Sequence, residues 1–151
     1  MRREGTKDRP NKNHLLAGII QNGQIFPLLQ SSKSTNLTTY AVVSNVIIDV
    51  DLIKKSKVKD MRLVARSASV GGGGLSVQLF DNDAAAEVGV VSFLGSEDQT
   101  IKSASVKSYL SGLTGRAFFT LRIKKDGPTG PSTVRSVALE CYGKLSGTKG
   151  E

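Results

Sequence analysis

The chain is predicted to be all-β: an antiparallel β-sandwich of about eight strands, jelly roll or Greek key, with a flexible basic N-terminal arm. Three observations predict it. Hydrophobicity alternates with period two, most clearly in Arg116–Lys124, where Ala117, Phe119, Leu121 and Ile123 share one face and Arg116, Thr120, Arg122 and Lys124 the other. Gly, Asp and Ser clusters separate the alternating stretches as turns do. Helical periodicity is almost absent.

Residues 1–13 hold Arg2, Arg3, Lys7, Arg9 and Lys12 against Glu4 and Asp8 and almost nothing apolar, so they read as a mobile arm. Residues 14–38 read as an N-terminal extension. Its apolar anchors are Leu15, Leu16, Ile19, Ile20, Ile25, Phe26, Leu28 and Leu29. An Asn22-Gly23 turn signal and Pro27 favour a short hairpin or edge segment over a helix. The sandwich is assigned to residues 39–145, and 146–151 to a flexible tail.

Within the sandwich, Tyr40–Leu52 reads as one long strand, with Val42, Val46, Ile48, Val50 and Leu52 inward and Asn45, Asp49 and Asp51 outward. A basic stretch follows, Lys54, Lys55, Lys57 and Lys59, then a strand with Met61, Leu63 and Ala65 inward. Four glycines, Gly71–Gly74, predict a flexible loop. Strands are expected at Leu75–Leu79, Val88–Leu94, Ile101–Leu110 and Val134–Tyr142. Asp81-Asn82-Asp83, Gly95–Asp98 and Asp126–Pro131 are the turns between them.

A length of 151 residues fits one domain plus a tail, and 38% hydrophobic with 23% charged residues fits a globular rather than a disordered composition. No apolar run approaches the ~18 residues of a membrane span, and the N-terminus lacks the apolar core of a secretory signal. No membrane partner is therefore expected. A single cysteine, Cys141, excludes an internal disulfide, and its neighbours Val137 and Leu139 place it in the core. The net charge of +8 favours an acidic partner, for which Arg2, Arg3, Lys7, Arg9, Lys12, Lys54, Lys55, Lys57 and Lys59 are the candidates.

The chemistry-bearing motifs are few. Asp81, Asn82, Asp83 and Glu87 have oxygen spacings suited to calcium, but Asx side chains closing a hairpin turn explain them as well. Gly71–Gly74 lacks the Gly-Lys-Ser/Thr and following helix of a phosphate loop. There is no HExxH, no GxSxG and no cysteine cluster, and the only histidine is His14. The expectation is a non-enzymatic protein without cofactor or metal. With no Trp, only Tyr40, Tyr109 and Tyr142 are offered as sugar platforms.

The run from Thr39 to Leu145 resembles the single jelly-roll domains of virus particles, especially phage head-decoration, head-fibre and tail proteins. Tyr40–Ser44, Leu75–Asp81, Phe119–Ile123 and Val137–Leu139 carry the likeness. The resemblance implies a structural component of a virion, a capsid, decoration or tail protein. It assigns no functional residue. Such proteins often carry a terminal arm that crosses a neighbouring subunit or meets packaged nucleic acid. Exchange of the arm would give a symmetric homo-oligomer, a trimer or larger, assembled through the apolar anchors of residues 14–38 beside other virion proteins. A carbohydrate- or cell-surface-binding module is the alternative. Nucleic-acid binding through the arm is the second, and it predicts steep weakening with salt.

Overall fold

The computed structural model describes residues 25–56 and 58–142. In chain order the elements are β1 (Ile25–Pro27), β2 (Lys33–Thr35), β3 (Ala41–Asp49), α1 (Val50–Ser56), β4 (Asp60–Ser69) and β5 (Leu75–Asp81). Then come β6 (Ala86–Phe93), β7 (Ile101–Ser105), α2 (Lys107–Ser111), β8 (Arg116–Lys125) and β9 (Ser132–Tyr142).

The strands form two antiparallel sheets. Sheet I has the order β1–β9–β4–β7, with β2 on the same edge of β9 as β1; sheet II has the order β3–β8–β5–β6. Apart from the β5–β6 hairpin, consecutive long strands alternate between sheets, and distant ones become neighbours. That is the connectivity of a jelly roll whose first strand is broken in two. β1 pairs through Leu139↔Phe26 and β2 through Thr133↔Ser34. The break at residues 28–32 turns Leu29 into the core and leaves no long strand edge open on that side.

Alternation explains the core. Met61, Leu63 and Ala65 of β4 and Val137, Leu139 and Cys141 of β9 face inward from sheet I. Val77 and Leu79 of β5, Phe119, Leu121 and Ile123 of β8, and Val46 and Ile48 of β3 meet them from sheet II. All are buried in one cluster.

Two strand assignments are corrected. Tyr40–Leu52 is not one strand: β3 ends at Asp49 and α1 begins at Val50. The Asp49 carboxylate accepts the Leu52 amide at 3.2 Å, as an N-terminal cap does, and Val50 and Ile53, three apart, turn to the core while Asp51 and Lys54 face solvent. Ile101–Leu110 likewise divides into β7 and α2, where Leu110 is buried beneath the helix. Both helices sit at one end of the sandwich, in contact with each other.

The opposite end belongs to the glycines, and it too departs from expectation. Gly71–Gly74 is a packed turn rather than a loose loop. A Cβ added to Gly73 would fall inside the backbone of Gly127, and one at Gly95 would meet the Gly72 carbonyl at 2.5 Å. Two inward hydroxyls tie this end together. Ser132 accepts the Gly71 amide at 2.9 Å and donates to the Gly74 carbonyl at 3.1 Å. Ser67 donates to the Glu97 carbonyl and accepts the Thr100 amide at 3.0 Å. Ser132→Ala removes the partner of the Gly71 amide, while the Gly74 carbonyl keeps the Asp126 amide at 3.2 Å, and is expected to cost about 1–3 kcal/mol by chemical denaturation.

Candidate binding surfaces

The sequence-predicted basic residues divide into two groups. Arg2, Arg3, Lys7, Arg9 and Lys12 lie outside the described residues, as do Lys57 and the side chain of Lys55. Lys54, on α1, and Lys59, just before β4, are exposed at the helical end. Lys107 of α2 joins them, donating to the Lys59 carbonyl at 3.0 Å, while Lys54 donates to the Leu113 carbonyl. Lys107 has no sequence signal of its own; only the α1–α2 contact brings it there. Asp60 does not neutralise the group. Its carboxylate is engaged by the Met61 amide at 2.8 Å, Arg62 at 3.0 Å and the Ser105 hydroxyl at 2.6 Å. Burial alone would raise the Asp60 carboxyl, but the bonds from Ser105, Arg62 and Met61 outweigh it and hold it below its ordinary value.

The apolar anchors also separate. Leu15, Leu16, Ile19 and Ile20 lie outside the described residues. Leu29 is core, and Phe26 and Leu28 pack against it, half-buried. Ile25 is exposed on β1. Phe26 and Leu28 line a cleft of about 450 Å3 where the two sheets part between β1 and β3, with Met61 and Leu139 also in its lining. Across the cleft stands β3, whose Ile47 is 62% exposed and pairs with the half-exposed Phe118 of β8. Val42 on β3 and Leu37 just before it are exposed as well. Five of the eight large exposed hydrophobics among the described residues therefore lie on β1, β3, their connection or the adjoining β8. Such a concentration is what a covered surface looks like when uncovered.

Where β5 meets β8, the outer face of sheet II is polar and tightly knit. Gln78 and Arg122 oppose each other on β5 and β8. Gln78 is 7% exposed; its amide donates to Glu87 Oε1 at 3.0 Å, while its Oε1 has no partner. The Arg122 guanidinium lies 3.6 Å over the Phe80 ring, and Lys124 lies 5.0 Å over Tyr40. The Tyr40 hydroxyl is raised above its ordinary value, by burial first and then by the charge of Glu87. One face of each ring is thus occupied by a cation. Phe118 is the open aromatic face here, with the exposed Asn45 of β3 alongside, while Thr120 of β8 is buried and its hydroxyl donates to Asn82 Oδ1 at 3.2 Å.

Of the sugar platforms read from the sequence, Tyr40 is half-covered and Tyr142 is 37% exposed with its hydroxyl on Glu140 at 2.7 Å. Tyr109 is spent on structure. Its hydroxyl donates to Asp81 Oδ2 at 2.6 Å, and that bond pushes its pKa up to about 12. The other Asp81 oxygen accepts the amides of Asp83 at 3.0 Å and Ala84 at 3.3 Å, the geometry of an Asx turn. Glu87 is turned to Gln78. Among the described residues no group of three acidic, His or Cys side chains is placed to hold a metal. Because Tyr109 is held protonated above its ordinary 10.0, the stability from this bond is whole below pH ~10 and is lost as pH rises through about 12. Tyr109→Phe is expected to cost about 1 kcal/mol at neutral pH and to flatten that alkaline loss, as denaturant titrations at neutral and alkaline pH would show.

Cys141 is fully buried, and burial pushes its thiol up to about 11, the reverse of a reactive cysteine. No helix of the described residues is long and apolar enough to cross a membrane. In comparisons with known proteins, no family model and no curated sequence matches the chain.

Proposed function

We propose that the chain is a non-enzymatic structural protein of a virus or phage particle, which assembles with copies of itself through its β1–β3 side and meets an acidic partner surface with the lysines of its helical end. The observation that carries this is the uncovered apolar side: Ile47 exposed at a cleft also lined by Phe26 and Leu28, with Ile25, Val42 and Phe118 exposed on β1, β3 and β8. A monomer rarely leaves so much large apolar surface in one place, and a symmetric assembly buries it at many equivalent contacts. The jelly-roll connectivity is shared by capsid proteins, lectins and cupins, so it is the apolar side and not the fold that selects the reading. Light scattering on the full chain tests it. An oligomer is expected, and Ile47→Lys with Phe118→Lys is expected to yield a monomer whose circular dichroism is unchanged. A wild-type chain that stays monomeric at high concentration removes the proposal.

A carbohydrate-binding module is the second reading, and the half-exposed Phe118 ring with the exposed Asn45 of the neighbouring strand favours it. Glycan arrays separate the two, since an assembly protein is silent on them.

A further inference from the structure

A second cavity, about 400 Å3, opens at the helical end between α1, the start of β4 and α2. Val50, Ile53, Val58, Met61 and Leu110 line it, and each is buried and apolar. Among the described residues the rest of its lining is Lys54, Lys59, Lys107 and Ser111, with no carboxylate. Two of the three ammonium groups are anchored at the mouth through the carbonyls of Leu113 and Lys59. An ammonium has three donors, so each keeps donors for another acceptor. Asp60, the acid next in sequence to Lys59, is already engaged by three donors.

Like charges gathered on one rim repel each other, and a bound anion relieves that repulsion. The apolar lining offers an anion nothing to hydrogen-bond, so a small hydrated ion would use the rim alone. A neutral hydrocarbon would use the lining alone. A ligand that uses both has an alkyl body and an anionic head, and 400 Å3 lies within the range of small-molecule pockets.

We propose that this cavity binds a free alkyl monocarboxylate, its chain in the apolar basin and its carboxylate held by Lys54, Lys59 and Lys107. The inference goes beyond the assembly reading, because a monomeric chain would bind the carboxylate all the same.

Titration calorimetry of the full chain with octanoate, butanoate and 1-octanol tests it. Octanoate is expected to bind. Butanoate should bind about a hundredfold more weakly, having four fewer methylenes to bury. Loss of the charged head in 1-octanol should cost about tenfold. Lys107→Met is expected to weaken octanoate about tenfold and leave 1-octanol unmoved. Ser111→Trp, at an exposed position on the mouth, should block both without lowering the unfolding temperature. If Lys54→Met disturbs the fold by losing its bond to Leu113, Lys107→Met carries the test. Octanoate binding no tighter than butanoate, or indifferent to Lys107→Met and Ser111→Trp, overturns the proposal. So does binding of an acidic peptide where octanoate does not bind, which would assign the end to a protein partner.

Discussion

Phe119→Ala is expected to destabilise the protein by about 3–5 kcal/mol, the usual cost of emptying a buried phenylalanine site. Phe119 is 1% exposed on the inner face of β8, paired with Val46 on one side and Asp81 on the other. β8 lies between β3 and β5, so the neighbours that line the hole belong to three strands and cannot all collapse inward together. Domain stabilities of ~5–15 kcal/mol make this a large share of the total. The adjacent Phe118→Ala is the control. Its ring is half-exposed on the opposite face, and its removal from an isolated chain is expected to stay within ~0.5 kcal/mol. Chemical denaturation of the two variants reads the difference, and equal losses would mean that the facing of β8 is wrong.

Gly73→Ala is expected to cost about 3 kcal/mol although it adds a single methyl group. The added carbon would occupy the backbone of Gly127, and backbone cannot swing aside as a side-chain tip does. The turns at 71–74 and 126–131 would have to part, straining the bonds Ser132 makes to Gly71 and Gly74. Gly115→Ala offers a contrast. Gly115 has positive φ, but nothing lies within 4 Å of its added Cβ, so only backbone strain of ~1 kcal/mol is expected there. Melting temperatures of the two variants rank packing against strain.

The sandwich was legible because most of its strands bury one face. Ala117, Phe119, Leu121 and Ile123 alternate in the sequence and are buried in the fold, and Met61, Leu63 and Ala65 behave alike. Period two failed where an apolar residue served both periods. Val50 continues the series of Val46 and Ile48, yet it begins α1, and the cue to the change was Asp49 placed to cap the Leu52 amide. Gly71–Gly74 was misread for a different reason. Glycine marks both freedom and close approach, and only its partner Gly127, more than fifty residues away, tells which applies. The candidate surfaces were legible in part. Lys54, Lys59, Phe26 and Leu28 could be named, but Lys107 and Phe118 join them through pairings across the chain that no local pattern announces.

The solitary Cys141 gives the molecule a built-in clock. Its sulfur is sealed between the sheets opposite Met61, and its thiolate is suppressed at neutral pH. An alkylating reagent can reach it only when β9 leaves its neighbours, so the labelling rate, set against that of the denatured chain, counts how often the sandwich opens. Any ligand or neighbouring copy that holds the closed form would slow that count by the factor with which it binds, and no label or added probe would have to be engineered to read it.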